Sequence, residues 1–304
     1  MSGLKVIQPG ILSLIQDAGR YGFHNIGITT GGALDSHSFQ WANQLCGNSD
    51  SATCIEILVG GLVLEAQIST QIAITGAEVA VTINGQPADT WCNHRVQAGD
   101  RIAIGYASAG CRAYLAVAGG IEAPLVFGSA STVVRESLGG LSGDGKPLQQ
   151  GDTLPCQANS GTVQQLAPQQ QRPVFTDGVT EVRMVLGYQH HQFSASQLDL
   201  FFDSIYTISQ NSNRMGYRLE GPAIVPPQTA MLSEGICLGA VQLPADGQPI
   251  ILLNDHQTIG GYPKLGSVLS VDINKLAQLM PGRTLRFQPI AIEQAQIILR
   301  KSRT

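Results

Sequence analysis

Short apolar runs separated by glycine-rich turns dominate the hydrophobic pattern of the first half of the chain. After two short runs within residues 4–15, six more cover residues 54–59, 62–66, 70–75, 78–83, 101–106 and 111–118. Runs of this length bounded by Gly, Asn and Asp are typical of β-strands, and a series at this spacing favours a barrel or sandwich. Asn84-Gly85 lies between two runs and predicts a tight hairpin.

The second half shows the same kind of pattern less regularly. Strands are predicted at 181–187, near 236–243, at 249–253 and 267–271, and over the closing stretch 283–299. Three short helices are predicted from a capping residue ahead of a mixed apolar face. Their N-caps are Asp35 or Ser36, Ser194 or Ser196, and Asp272.

The chain therefore reads as mainly β with a few short helices. Its 304 residues exceed what one small core serves, and 43% of them are hydrophobic against 13% charged, so two domains with sizeable cores are expected. A Gln/Pro-rich stretch at 157–173 has the composition of a linker. We predict an N-terminal β-barrel domain over 1–165 and a C-terminal one over 174–304.

The net charge and the cysteine spacing argue against several classes of function. The net charge is −4 without a Lys/Arg run, which argues against nucleic-acid and membrane surfaces. The six cysteines show no CxxC spacing, so we expect buried thiols rather than a zinc site or a disulfide framework. No apolar run approaches 18 residues and no signal segment is evident, so a cytoplasmic protein is expected.

The segment 254–264 is the most chemically dense loop of the chain. It places an acid, an imidazole, amides, a hydroxyl, a phenol and an ammonium around Gly260-Gly261, between two apolar runs. Glycines let a backbone approach a ligand closely, and strands hold such loops in place. A binding site is one interpretation of this loop, and a decorated polar hairpin is the other.

Several motifs together resemble one family. They are, in chain order, Gln16-Asp17-Ala18-Gly19-Arg20-Tyr21-Gly22, Gly31-Gly32-Ala33-Leu34-Asp35, Ser212-Asn213-Arg214-Met215-Gly216-Tyr217-Arg218-Leu219-Glu220-Gly221, Ser233-Glu234-Gly235-Ile236, Gly239-Ala240-Val241-Gln242-Leu243-Pro244 and Gln257-Thr258-Ile259-Gly260-Gly261-Tyr262-Pro263-Lys264. This set, spread over almost the whole chain, is similar to the biotin-dependent carboxyltransferase-like family. That family includes KipA, the allophanate hydrolase subunit 2 type proteins and the C subunits of bacterial 5-oxoprolinases, which the motifs resemble most.

The resemblance implies a fold, an activity and partners. It implies two cyclophilin-like β-barrel domains and a role in an ATP-dependent conversion of 5-oxo-L-proline to L-glutamate. The implied partners are a KipI-like protein (the B subunit) and a LamB/YcsF-like protein (the A subunit), and the implied cofactor is ATP, with Mg²⁺ accompanying it. No biotin attachment on this chain is expected. A KipA-like regulatory binding protein and a carboxyltransferase module of a urea/allophanate pathway are the alternatives.

Opening a lactam requires activation of its carbonyl group, and phosphorylation of the amide oxygen would supply it. We predict Lys264 as a catalytic cation and Arg214 as a substrate-binding one. The alternatives are a solvated Lys264, and an Arg214 paired with Glu220 or Glu234 within the fold. Glu234 is itself predicted to contact substrate.

Asp255 and His256 are predicted to be catalytic, orienting or deprotonating the substrate amide. The family commonly carries Ala-Asp-Arg where this chain has Asn254-Asp255-His256, so an imidazole replaces a guanidinium. The alternative for His256 is a position facing solvent. Leu34 also replaces the Met that the family commonly has.

The rest of the loop supplies the predicted substrate contacts, which are Gln257, Thr258, Gly260, Gly261 and Tyr262. The two polar side chains would equally cap the backbone of their own loop. No metal site is predicted, since the adjacent His190 and His191 read as surface residues. The Gly-rich stretch 139–145 lacks the Lys-Ser/Thr ending of a phosphate-binding loop, and ATP is therefore expected mainly on a partner.

Overall fold

The computed structural model describes residues 2–159, 161, 163–226 and 232–301. These form two compact units: Met1–Tyr21 with Gly31–Phe175, and Gly22–Thr30 with Thr176–Thr304. Residues 22–30, which the sequence assigned to the first domain, therefore group with the second unit. The domains 1–165 and 174–304, as independently folding pieces, stay a prediction.

The first unit contains one nine-stranded sheet. Its strands are β1 Gly3–Pro9, β2 Leu12–Gln16, β3 Cys54–Leu58, β4 Leu62–Ala66, β5 Thr70–Ile83, β6 Gln86–Ala88, β7 Asn93–Val96, β8 Arg101–Val117 and β9 Thr153–Pro155. The order across the sheet is β2-β3-β8-β4-β1-β9, and β5 pairs with β6, β7 and β8. Ile83 pairs with Gln86, which confirms the predicted Asn84-Gly85 hairpin.

Two long bent strands organise this sheet. The sequence predicted breaks in 70–83 and in 101–118, but β5 and β8 each run through without interruption and pair along most of their length. The register shifts after Gly76, which has φ 94° and faces the carbonyl oxygen of Arg112 so closely that an added Cβ would lie 2.3 Å from it. Bulges thus bend the strand where the sequence suggested a turn.

The two faces of the sheet carry different cores. Ile55 and Ile57 on β3 pack into a large aliphatic cluster, whereas Cys54 and Glu56 point to the opposite face. Helix α1, Ser36–Leu45, covers that opposite face. Its N-cap is Asp35, as predicted, because the Asp35 carboxylate accepts a hydrogen bond from the Ser38 backbone N–H at 3.0 Å.

The second unit is built on a closed seven-stranded barrel. The nine strands of the whole second unit are β10 Thr180–Leu186, β11 Tyr206–Ile208, β12 Gly216–Glu220, β13 Glu234–Gly235, β14 Ala240–Gln242, β15 Ile250–Leu252, β16 Ile259–Gly260, β17 Lys264–Val268 and β18 Thr284–Pro289. The barrel order is β10-β17-β14-β15-β12-β11-β18, and β18 pairs in parallel with β10 to close it. Strands β13 and β16 form a separate two-stranded ribbon.

The helices of this unit correct two predictions. Helix α2, Ala195–Asp203, has the predicted N-cap Ser194. Helix α3, Ser270–Ala277, begins after Leu269, so Asp272 lies in its first turn and is not its N-cap. Helix α4, Ile292–Lys301, stands where closing strands were predicted beyond β18. Short 3-10 turns occur at His24–Ile26, Val134–Glu136, Gln169–Gln171 and His190–Gln192.

The stretch with linker composition is partly attached to the first unit. Leu166 forms an isolated bridge with Cys92, and the Ala167 backbone N–H donates to the Trp91 carbonyl at 2.9 Å. Ala167 is buried, so hydrophobic packing fixes this part of the stretch. Within the described ranges, no helix is long and apolar enough to cross a membrane.

Candidate functional site

The registers of two β-ladders bring four polar or glycine positions together in the second unit. In the ribbon, Glu234 lies directly opposite Gly260. In the barrel, Gln242 lies directly opposite Lys264, next to a bulge that follows Val241. Directly opposed residues on antiparallel strands project to the same face, so the ladders present these side chains as pairs.

A hydrogen-bonded network joins the two ladders. The Lys264 ammonium donates to Oε1 of Glu234 and forms an ion pair with it. Gln189 Nε2 donates to the same oxygen at 2.7 Å and to the Tyr188 hydroxyl at 2.8 Å. The Tyr188 hydroxyl donates to the other carboxylate oxygen of Glu234. The backbone N–H of Lys264 donates to Gln189 Oε1 at 2.7 Å, which fixes the start of β17 against this loop.

The network is charge-balanced. Hydrogen bonds from Lys264, then from Tyr188, hold the pKa of the Glu234 carboxyl below its ordinary value. The hydrogen bond to Glu234 raises the pKa of the Tyr188 phenol. The carboxylate therefore stays ionised and the phenol stays a donor near neutral pH. The donors of Tyr188 and Gln189 are used within the network, so the group that it can present to a neutral polar ligand is the Lys264 ammonium, which has three N–H donors.

A second ion pair lies beyond the ends of β12 and β15. Gly216 on β12 pairs with Leu252 on β15. Beyond this pair the two segments stay hydrogen-bonded, and the backbone N–H of Asp255 donates to the Arg214 carbonyl at 3.0 Å. The Arg214 guanidinium donates two hydrogen bonds to the Asp255 carboxylate, from Nε to Oδ2 at 2.9 Å and from Nη2 to Oδ1 at 3.0 Å. Both residues are buried. Asp255 is thus an intramolecular partner of Arg214, whereas the sequence had suggested Glu220 or Glu234.

His256 is buried rather than solvent-facing, with 3% of its surface exposed. Its Nδ1 lies 2.6 Å from the carbonyl oxygen of Gln257. A carbonyl only accepts, so Nδ1 carries the proton and the lone pair of the neutral ring is on Nε2. The ring of His24 meets that of His256 edge-on, with 6.0 Å between centroids, and His24 Nε2 is bonded to the Thr30 hydroxyl at 2.8 Å.

The other predicted substrate contacts differ in exposure. Thr258 is buried, and its carbonyl accepts a hydrogen bond from the Ile236 backbone N–H at 3.1 Å. Gln257 is half-buried, Gly261 is exposed, and the Tyr262 ring is 49% exposed. Tyr262 therefore remains accessible at the surface of the second unit, whereas the backbone of Thr258 serves the fold.

A family model of the carboxyltransferase domain, subdomain A and B, matches residues 26–289. The chain belongs to this family. It is 36% identical over 299 residues to the C subunit of 5-oxoprolinase from Escherichia coli K12, covering 96% of this chain and 93% of that protein. The C subunit of 5-oxoprolinase from Haemophilus influenzae is 34% identical, over 95% of this chain and 91% of that protein.

A solved structure of a larger enzyme also matches this carboxyltransferase-family chain. The crystal structure of the Kluyveromyces lactis urea amidolyase has a TM-score of 0.89 at 30% identity over 97% of this chain. The match covers 19% of that protein, so the chain corresponds to one segment of it.

The family motifs in the first unit stabilise loops. The Asp17 carboxylate accepts hydrogen bonds from Gly19 N–H at 2.8 Å, Ser129 hydroxyl at 2.6 Å, Ala130 N–H at 2.6 Å and Ser131 hydroxyl at 2.5 Å. Arg20 Nη2 donates to the Ser131 carbonyl at 2.6 Å. These bonds tie the N-terminal motif to a loop more than a hundred residues later.

The Gly-Gly-Ala-Leu-Asp motif is anchored in a similar way. The buried Glu56 carboxylate accepts from the Leu34 backbone N–H at 2.9 Å and from the Tyr114 hydroxyl at 2.7 Å. The Asp35 N–H donates to the same hydroxyl at 2.8 Å. Leu34 itself is fully buried, so an apolar side chain suits the position that the family commonly fills with Met.

The Gly-rich stretch 139–145 uses several of its backbone donors within the fold. In the Gly-rich stretch 139–145, Gly145 N–H donates to the Gly139 carbonyl and Gly140 N–H donates to the Ala130 carbonyl, so these donors are used within the fold. Lys146 pairs with Asp144 at 2.5 Å. No cluster of three His, Cys, Asp or Glu side chains suited to a metal occurs in the described part of the chain.

Tyr188 and Gln189 are the site residues that the sequence did not reveal. They follow β10 directly, next to the His190-His191 pair. His190 bonds the Gly187 carbonyl through Nδ1 at 2.7 Å, and His191 is exposed. A polar segment directly after a strand and a Gly was the available signal.

Proposed function

We propose that this chain acts as the C subunit of a cytoplasmic, ATP-dependent 5-oxoprolinase. The overall reaction is 5-oxo-L-proline, ATP and water to L-glutamate, ADP and phosphate. The near full-length similarity to two proteins named as the C subunit of 5-oxoprolinase supports this proposal. The complex would include a KipI-like protein as its B subunit, together with a LamB/YcsF-like protein as its A subunit.

The Lys264–Glu234 network is the observation on which the proposed chemistry rests. A lactam carbonyl becomes more electrophilic when a donor stabilises the charge that develops on its oxygen. Lys264 is held by Glu234, and Tyr188 uses its single hydroxyl proton to bond the same carboxylate. In this proposal Lys264 stabilises the developing charge, and Glu234, Gln189 and Tyr188 position it.

His256 and Asp255 have different roles in this proposal. The Asp255 carboxylate neutralises the Arg214 guanidinium through two hydrogen bonds, so in this proposal Arg214 does not bind a phosphate group of the substrate. The pair instead holds the turn that carries His256, whose backbone N–H donates to the Leu253 carbonyl at 3.0 Å. In this proposal His256 is the residue that exchanges a proton with the substrate amide.

ATP is assigned to the partner proteins in this proposal. The backbone donors of the Gly-rich stretch are used within the fold, as described above, and no step of the reaction is placed on this chain through the nucleotide. The contribution of this chain is to bind and orient the amide.

Reconstitution tests the proposal. The chain is mixed with a KipI-like and a LamB/YcsF-like protein from the same genome, and glutamate release from 5-oxo-L-proline and ATP is measured. We expect activity only with all three proteins, and its loss with Lys264→Met. Absence of glutamate from the wild-type mixture would overturn the assignment.

A carboxyltransferase module of a urea pathway is the second candidate. It is favoured by the TM-score of 0.89 with the K. lactis urea amidolyase structure over 97% of this chain. The two candidates differ in their requirement for a biotinylated carrier. Urea-dependent decarboxylation of a carboxybiotin carrier by this chain would support the second candidate over the first.

A further inference from the structure

A pocket in the first unit lies outside the candidate site described above. Its volume is about 360 Å³, which is within the range of small-ligand pockets. Residues from two parts of the chain line it, and they include Gln71, Asn93 and Arg95 from the sheet, and Gly161, Val163 and Gln164 from the segment with linker composition. A molecule in this pocket would therefore touch both the sheet and that segment.

The register of β5 and β7 sets the sheet side of the pocket. Gln71 lies directly opposite Arg95, and Asn93 lies two residues before Arg95 on the same strand. Directly opposed residues, and residues two apart on one strand, project to the same face of a sheet. Three polar side chains thus share one face at β7, a strand that pairs only with β5 among the described strands.

Side-chain amides attach the other side of the pocket to the sheet. Gln71 Nε2 donates to the Gly161 carbonyl at 2.7 Å, and Asn93 Nδ2 donates to the Val163 carbonyl at 2.9 Å. The Gln165 backbone N–H donates to Asn93 Oδ1 at 2.8 Å. We name residues 163–172 the strap. Val163 is 70% exposed, so hydrogen bonds rather than apolar burial hold this end of the strap.

Arg95 gives the pocket its charge. Within the described ranges its guanidinium makes no hydrogen bond or ion pair, and no Asp or Glu is among the described lining residues. A guanidinium binds a carboxylate with two parallel hydrogen bonds. One cation balances the single charge of a carboxylate, whereas a phosphate dianion would keep excess negative charge on a chain whose net charge is already −4.

We propose that this pocket binds a small carboxylate, which accepts two hydrogen bonds from Arg95 and contacts Gln164 with the rest of the molecule. Because the ligand touches both β7 and the strap, its binding holds the strap against the sheet. The strap lies just ahead of Thr176, where the chain enters the second unit again. The pocket is thus an effector site on the connection between the two units, and it is independent of the function proposed above.

A side-chain signal of Arg95 reports on the pocket directly. The full-length chain is labelled with ¹⁵N-arginine, and the Arg95 Nε signal is assigned by its absence from Arg95→Gln. The chain is titrated at constant ionic strength with sodium butyrate, with its neutral counterpart butyramide, and with sodium phosphate. We expect the Arg95 signal to shift saturably with butyrate, to stay unchanged with butyramide and to respond less to phosphate.

Two arginine variants test whether binding is specific to the pocket. Arg95→Gln is expected to weaken butyrate binding about tenfold or more, because hydrogen bonds to a charged group are lost. Arg101→Gln is the matched control, since it removes the same charge from another exposed arginine of this sheet that does not line the pocket. It is expected to bind butyrate as the wild type does, and melting temperatures check the fold of both variants.

Hydrogen exchange of the backbone amides in 163–172 reports on the strap. We expect slower exchange with saturating butyrate in the wild type and in Arg101→Gln, and no change in Arg95→Gln. Binding that leaves the exchange unchanged would overturn the role of the ligand in holding the strap.

Three results would overturn the site itself. They are an Arg95 signal that does not respond to butyrate, one that responds equally to butyramide or more strongly to phosphate, and an equal loss of binding in both variants. None of these measurements uses a partner protein or glutamate release. Failure of the pocket proposal is therefore distinct from failure of the 5-oxoprolinase assignment.

Discussion

Lys264 and Glu234 form an ion pair that ties the first residue of barrel strand β17 to the first residue of the two-stranded ribbon. Their side chains are 13% and 33% exposed, so the pair is partly screened by solvent. Its value is therefore geometric: it fixes the ammonium against Glu234, the residue opposite Gly260, and it adds little to the stability of the fold.

Lys264→Met is expected to abolish most activity of the reconstituted complex without unfolding the chain. Removing one donor that stabilises developing charge lowers kcat by roughly 100- to 1,000-fold in other enzymes. Steady-state glutamate release measures the effect, and circular dichroism measures the fold. Lys5→Met, at an exposed position of the first unit, is the control and should keep wild-type turnover. Near-wild-type kcat in Lys264→Met would move the reacting centre elsewhere.

The Arg214–Asp255 pair is expected to be chiefly structural. Its side chains are 10% and 7% exposed, and Arg214→Met leaves the Asp255 charge buried without its bidentate partner. Loss of one member of a buried pair costs roughly 3–5 kcal/mol of unfolding free energy. Urea denaturation should show that the double variant Arg214→Met/Asp255→Leu is less destabilised than the two single changes added together. Additive effects would mean that the two side chains do not interact.

Acid stability is expected to depend on Asp272. Burial alone would raise the pKa of this carboxyl, but hydrogen bonds from the Arg183 side chain and backbone, together with Lys275, hold it below its ordinary value. A depressed folded-state pKa gives stability that is fully present above the unfolded pKa, about 3.9, and is lost as pH falls through the folded value.

Asp272→Asn should therefore lower the unfolding free energy at pH 7 by roughly 1.5–3 kcal/mol, the value of a hydrogen bond to a charged group. It should also flatten the loss of stability below about pH 4, because the titrating group is gone. Urea midpoints between neutral pH and acid measure both effects. If the variant loses stability below pH 4 as steeply as the wild type does, other carboxylates cause that loss.

One of the six cysteines is expected to react with thiol reagents in the folded protein, and the other five are expected to be protected. Cys237 is exposed, and the other five are buried. Burial raises the pKa of the Cys46 thiol to about 12 and that of Cys156 to about 11, which keeps both thiols protonated at pH 8.

Iodoacetamide at pH 8 should therefore add one group to the native chain, at Cys237, and six after denaturation, as measured by intact mass and peptide mapping. Cys237→Ser is the control and should remain unlabelled while folded. Labelling of several sites at equal rates would show that the buried thiols are reached in the native state.

The sequence correctly predicts helix caps and a tight turn, because residues adjacent in the chain determine these features. The caps Asp35 and Ser194 and the Asn84-Gly85 hairpin are confirmed, since each depends on a few adjacent residues. Helix α4 was missed, although Ile292, Ala295 and Ile298 have helical spacing, because the closing stretch was read as a continuation of β18.

Long-range contacts could not be predicted from the chain alone. Tyr188 and Gln189 meet Glu234 across 46 and 45 residues, and Gln189 meets Lys264 across 75. The register of two ladders decides these contacts, and one residue of slippage would turn each side chain to the other face. His256 likewise meets the ring of His24, which lies far away in sequence.

The parallel pairing of β10 with β18 has a consequence for synthesis of the protein. The barrel closes only when residues 180–186 meet residues 284–289, so every strand between them must emerge from the ribosome first. A nascent chain that stops before β18 exposes two open strand edges, which favour aggregation. Chaperone dependence during translation should accordingly peak over this last stretch.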